Sequence, residues 1–171
     1  MPFFETSSTK VELRRDVVIL DTNVLYAAFN VGDSKHEDSR TYIDVPAQLI
    51  VPMPVIVETW GLLVGRDNDW EGGFSFLRWI IDPSSGVVVI HECSDVSNIH
   101  ALASSLRIDC VDAAILHLAD DITKQCKLSP ACVIATYDTR DFFQSLKDRS
   151  FGVTLLDMHT LDETEFNPAS Y

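Results

Sequence analysis

The sequence predicts an α/β domain of three layers (α/β/α), with a mainly parallel, Rossmann-like central sheet between two layers of helices. Three observations support this. Short β-branched runs alternate with helical stretches, the runs are apolar at every position rather than every second one, and 171 residues of 46% hydrophobic composition suffice for one sizeable core. Alternation of this kind needs crossover connections, and those place parallel strands side by side with helices on both faces.

The first run, Val17-Val18-Ile19-Leu20, predicts a strand that ends at Asp21. Leu49-Ile50-Val51, Val87-Val88-Val89-Ile90, Cys132-Val133-Ile134-Ala135 and Val153-Thr154-Leu155-Leu156 predict the next four. Pro52 and Pro54 bracket the start of a helix through Glu58, where proline is tolerated because the first helical amides lack partners. Asp69 suits an N-cap, after which Trp70, Phe74, Leu77 and Ile81 recur along one face and predict a core-facing stripe. Gly72-Gly73 weakens that helix, and Asp82-Pro83-Ser84-Ser85-Gly86 predicts a turn. Asp109 suits the N-cap of a helix that begins CVDAAILHLAD. Residues 1–15 read as a loosely ordered segment, 16–157 as a single domain and 158–171 as a poorly ordered acidic tail with no strand or helix period.

A formal charge of −13, from 26 acidic against 13 Lys and Arg residues, argues against a broad basic face for duplex nucleic acid. No apolar run approaches the roughly 20 residues of a membrane helix, and no signal-peptide pattern opens the chain, so a cytoplasmic protein with no membrane partner is expected. Cys93, Cys110, Cys126 and Cys132 lack CxxC spacing and read as reduced thiols in mostly apolar surroundings. The five histidines share no metal-ligand spacing.

Four acids stand in apolar settings at the ends of elements: Asp21 in VVILDTNVLY, Glu58 in PVIVETWGLL, Asp112 in CVDAAILHL and Asp138 in CVIATYDTRDF. Taking an ionised carboxylate out of water costs several kcal/mol or more, so acids that converge without Lys or Arg point to a divalent cation. Parallel sheets bind ligands at the carboxyl ends of their strands, and Asp21 and Asp138 both fall on that rim. Singly, each has an ordinary explanation. Asp21 or Thr22 could cap a helix, Glu58 could pair with Arg66, Asp112 could complement a helix dipole, and Asp138 could be a turn residue with Asp141 as an N-cap.

The residues together resemble the PIN-domain family, from about Val17 to Leu156. The resemblance rests on a strand ending in Asp21-Thr22-Asn23, an acid in a mid-chain helix at Glu58, Asp112-Ala113-Ala114-Ile115 opening another helix, and Thr136-Tyr137-Asp138 followed by Asp141-Phe142. It is similar to the VapC-like ribonuclease toxins of bacterial type II toxin–antitoxin modules. That resemblance implies a PIN-like fold and a Mg²⁺- or Mn²⁺-dependent endoribonuclease, a hydrolase acting on single-stranded or structured RNA. It also implies a small antitoxin partner and a homodimer. Asp21, Asp112 and Asp138 would hold one or two ions, with Glu58 as a further ligand or as the group orienting the attacking water. Asp138 is preferred over Asp141 as the inner ligand, Asn23 and Thr136 would support the carboxylates, and Arg140 would meet a phosphate or pair with a neighbouring acid. The rival expectation is a catalytically silent PIN-like interaction module. Asn23 stands where a haloacid-dehalogenase-type phosphohydrolase would need a second Asp, and a receiver domain's paired acids and late lysine are not evident.

Overall fold

The structure is a computed structural model describing residues 3–5, 10–12, 17–44, 48–91, 96–126, 132–140, 142, 146 and 153–166. The chain runs β1 (Phe3–Glu5), β2 (Lys10–Glu12), β3 (Val17–Leu20), α1 (Thr22–Phe29), α2 (His36–Ile43), β4 (Gln48–Pro52) and α3 (Met53–Trp60). It continues through α4 (Trp70–Ile81), β5 (Val87–Ile90), α5 (Val96–Leu106), α6 (Cys110–Cys126), β6 (Cys132–Thr136), β7 (Val153–Asp157) and β8 (Asp162–Phe166). A π-helical turn, Gly61–Arg66, continues α3, and a short 3-10 turn, Pro83–Ser85, ends at Gly86 with φ 70°.

Six strands form one sheet in the order β5-β4-β3-β6-β7-β8, parallel except for β8, which runs antiparallel to β7. All five strands expected from apolar runs lie in it. From β3 the chain builds outward through β4 to β5, then crosses to the other side and builds through β6 to β8. The order therefore reverses between β3 and β6, and the two strands diverge in connection at their carboxyl ends, where such sheets bind ligands. Ile19, Leu20, Ile50, Ile134 and Leu155 bury the sheet against Leu25, Val55, Phe76, Ile115 and Leu116 from the helices. Such burial on both faces explains why these strands lack a polar alternation.

The caps at Asp69 and Asp109 are present. Asp69 accepts a hydrogen bond from Gly72 N–H at 2.9 Å, and Asp109 accepts from Val111 and Asp112 N–H at 2.8 and 2.9 Å. The stripe expected to face the core mostly turns away from it: Leu77 packs against the core, but Trp70, Phe74 and Ile81 are 52%, 51% and 75% exposed. The buried face of α4 is instead Gly72, Gly73 and Phe76. A Cβ on Gly72 would strike Asp69 and the Phe29 carbonyl oxygen, and one on Gly73 would strike Val64, so the paired glycines let α4 lie close against α1 and the π-helical turn.

Both chain ends contain more structure than their sequences suggest. β1 and β2 form an antiparallel pair that buries Phe4, and Glu5 N–H reaches Gln125 of α6 at 3.4 Å. At the other end the acidic segment pairs with β7 as β8, after a turn with Leu161 at φ 61°. Backbone pairing along an existing strand needs no apolar alternation, which is why that segment has no readable period. Among the described cysteines Cys132 is buried, Cys126 half-buried and Cys110 exposed, all as free thiols.

Candidate active site

Asp21 stands one residue past β3, where its extended backbone makes it the N-cap of α1. Its amide continues the sheet by donating to the Ala135 carbonyl at 3.1 Å, which ties the carboxylate to the tip of β6. One oxygen, Oδ1, accepts from Thr22 N–H at 2.6 Å. The other, Oδ2, accepts from the Asn23 amide at 2.7 Å and from the Thr136 hydroxyl at 2.6 Å. The capping explanation and the buried-site explanation for Asp21 therefore both hold, because the same carboxylate does each.

Asn23 and Thr136 bind the two strand ends together. Asn23 Nδ2 also donates to Thr136 Oγ1 at 3.0 Å, and its Oδ1 accepts Tyr137 N–H at 3.0 Å. Thr136 Oγ1 in turn accepts Asp138 N–H at 2.9 Å, so the loop that presents Asp138 is held by the hydroxyl that supports Asp21. The supporting residues picked out in the sequence thus contact both rim acids' neighbourhoods directly.

Thr22 takes part as well, although the sequence marked it only as an alternative cap. Its hydroxyl donates to Glu58 Oε2 at 2.7 Å, joining α1 to α3 beside the rim. Arg66 does not reach Glu58. It forms a two-pronged pair with Asp67 at 2.8 and 3.1 Å and stacks over Tyr26 with 4.8 Å between guanidinium and ring centroid. Asp112 occupies the first turn of α6, where the exposed amides favour an anion.

The charges of these groups act on one another. Burial, opposed by the Thr136 and Thr22 hydrogen bonds and reinforced by Glu58 and Asp109, pushes the Asp21 carboxyl up to about 6. Burial, followed by the charges of Asp21, Asp109, Asp138 and Glu58, pushes Asp112 up to about 8. All four acids singled out in the sequence therefore share one field, and Asp109 adds to it from the α6 cap.

Among the described residues none of the four forms an ion pair with Lys, Arg or His. Nor do any three His, Cys, Asp or Glu side chains among them already stand at a spacing that would close on one ion. The donor set is carboxylate and hydroxyl oxygen, which suits a hard dication rather than a thiolate- or imidazole-seeking metal. Arg140 is exposed beyond Asp138, and Asp141 lies outside the described residues.

A family model described as the PIN domain matches residues 18–148. Three solved structures share the fold. The Mycobacterium tuberculosis VapC20 toxin, which cleaves the sarcin-ricin loop, is 20% identical, with 74% of this chain and 93% of that one covered at a TM-score of 0.54. VapBC2 of Rickettsia felis, solved bound to a DNA fragment from its promoter, is 16% identical over 75% and 92% at 0.52. PAE2754 of Pyrobaculum aerophilum is 17% identical over 88% and 98% at 0.53. A comparison with curated proteins returned no match. The described residues contain no helix long and apolar enough to cross a membrane. The strand order, the rim acids and the span of the family match agree, and the chain belongs to the PIN-domain family.

Proposed function

We propose that this PIN domain is a divalent-metal-dependent ribonuclease that hydrolyses phosphodiester bonds of single-stranded RNA and serves as the toxin of a toxin–antitoxin pair. The observation that supports the reading is the electrostatic coupling of Asp112 to Asp21, Asp138 and Glu58, none of which forms an ion pair with a cationic side chain among the described residues. The likeness to VapC20 and to the VapBC2 assembly supports the toxin role and a small antitoxin partner. A homodimer and a cytoplasmic setting follow from the same family reading.

Asp21, Asp112 and Asp138 would hold one or two Mg²⁺ or Mn²⁺ ions, with Asp141 as an outer ligand. Bound there, such an ion neutralises the phosphate and makes nearby water more acidic. Asp21 has roughly one free lone-pair direction left after its three hydrogen bonds, so it contributes a fixed anchor rather than a mobile ligand. Asp112 must lose its proton to bind, which couples metal affinity to pH. Glu58 is held at Oε2 by Thr22, leaving Oε1 to orient the attacking water and accept its proton. Asn23 and Thr136 keep the Asp21 and Asp138 segments in register. Arg140 would meet a phosphate of the substrate.

The test is incubation of purified protein with diverse single-stranded RNAs and Mg²⁺ or Mn²⁺, beside EDTA and Asp112→Asn controls. Cleavage confined to the metal-loaded wild type supports the proposal. Equal cleavage in all three rejects it, and metal binding without cleavage assigns the chain to the silent interaction modules.

A further inference from the structure

Tyr137 stands between Thr136 and Asp138, and two distant parts of the chain, the start of α2 and the residues past β7, meet on its ring. Its hydroxyl bonds Ser39 of α2 at 2.7 Å. His159, just past β7, meets the ring edge-on with centroids 5.0 Å apart. Lys35, the residue before α2, holds its ammonium 5.5 Å from the ring centroid and donates to His159 Nδ1 at 2.9 Å. Lys35 and His159 are 124 residues apart, so only the fold assembles them.

Acidic residues outnumber Lys and Arg by 26 to 13, yet among the described residues no carboxylate forms an ion pair with Lys35. Its ammonium rests on an aromatic face and an imidazole nitrogen, with the Asp33 carboxylate accepting the Lys35 backbone N–H at 2.8 Å and the charges of Asp38 and Asp33 bearing on Tyr137. An ammonium has three donors, and one is spent on His159. With Nδ1 accepting, the imidazole carries its proton on Nε2, a further donor. Two ammonium N–H groups and one imidazole N–H therefore gather on the ring of Tyr137, the residue before Asp138, on the β7 side of β6.

We infer that Lys35, His159 and Tyr137 form a substrate subsite that takes the phosphate, and the base of an adjoining nucleotide, next to the bond being cleaved in single-stranded RNA. The inference rests on the ribonuclease reading and adds a recognition element to it. A backbone approaching the carboxylates is repelled wherever no cation faces it, and this trio supplies a positive pole beside the cup. Phosphate contact by the two donors gives affinity without sequence selection, and stacking on Tyr137 or His159 tolerates any base. The competing explanation is a staple holding α2 to the sheet, in which Lys35 matters for stability alone.

The deciding experiment measures binding of a short fluorescent, hydrolysis-resistant phosphorothioate RNA with Mn²⁺ across a salt series, alongside cleavage of the natural RNA. Lys35→Ala is compared with Lys35→Arg and with Lys10→Ala. Lys10 pairs with Glu5 in the amino-terminal hairpin and controls for the loss of one charge. Expected is about tenfold weaker binding for Lys35→Ala, with a log affinity against log salt slope shallower by about 0.7. Lys35→Arg should keep most of the affinity, and Lys10→Ala should match wild type. Lys35→Ala binding as tightly as Lys10→Ala, or weakening with an unchanged salt slope, overturns the subsite. Failure of wild type to bind any RNA overturns the subsite and the ribonuclease reading together. Weakened binding by Lys35→Ala with a shallower salt slope, but no cleavage by wild type, rejects the ribonuclease reading and overturns the placement beside a scissile bond, leaving Lys35 as an RNA-binding contact only.

Discussion

The two halves of the acidic rim are built on opposite principles. On the sheet side, Asp21 is 4% exposed and receives three hydrogen bonds, so most of its oxygen lone pairs are already engaged. On the helix side, Asp112 is only partly buried, yet its carboxyl is displaced further, because four neighbouring carboxylates add to its burial while no hydrogen bond is among its causes. Burial alone does not set the cost of a charge; the donors around it do. The sheet half behaves as a preorganised anchor, and the helix half stores the repulsion that a cation would relieve.

The strongest way to break this contrast is to remove one acid from each half. Asp112→Asn should reduce RNA cleavage by more than about 100-fold, since even groups that merely support a metal ligand cost 10- to 100-fold when removed. In EDTA at pH 8 the same variant should melt at a higher temperature than wild type, because it deletes an unrelieved charge. Asp21→Asn should also lose cleavage but melt lower, because an amide nitrogen at Oδ2 cannot accept from both Asn23 and Thr136. Opposite Tm shifts from two Asp→Asn changes would be measured by calorimetry, and shifts of the same sign would erase the distinction.

A smaller effect is expected from Asn23→Ala. It removes the amide that links Asp21, Thr136 and the Tyr137 N–H, and should lower activity by about 10- to 100-fold and stability by about 1–2 kcal/mol. Denaturant titration and single-turnover cleavage check the two parts separately.

The pH dependence sharpens the comparison further. The folded values of Asp21 and Asp112, about 6 and about 8, lie above the ordinary 3.8. Their contribution to stability is therefore fully present below pH 3.8 and is lost as pH rises through those two values. The metal-free protein should lose several degrees of Tm between about pH 5 and 8.5 from these groups. Saturating Mn²⁺ should flatten that fall, and its affinity should climb over the same range because protons leave as the ion binds. The smallest effect belongs to Arg66→Ala. That side chain pairs with Asp67 in solvent, away from Glu58, so Tm should stay within about a degree and the Mn²⁺ response should not change.

Much of this arrangement is legible in the amino acids. Unbroken apolar runs announce the five parallel strands, and Asp69 and Asp109 announce the caps. The rim acids stand out because each interrupts an apolar context at an element's end. Periodicity fails at α4, where two apolar stripes compete: the larger one, with Trp70 and Phe74, faces outward because Gly72 and Gly73 allow the closer approach. Backbone pairing hides β8, whose residues carry no alternating pattern. The Lys35, Tyr137 and His159 cluster has no local signature at all, since it depends on the ends of β6 and β7 meeting the start of α2.

The central proposal is that Asp21, Asp112 and Asp138, with Glu58 beside them, hold a divalent cation. Its most direct test is the melting temperature at pH 8 of wild type and Asp112→Asn as Mn²⁺ is titrated against EDTA. Ligand at a hundred times its Kd stabilises the folded state by about 2.7 kcal/mol. Wild type should therefore rise steadily with Mn²⁺ while Asp112→Asn starts higher and stays flat. An equal rise in both proteins, or a rise in neither, would contradict the account.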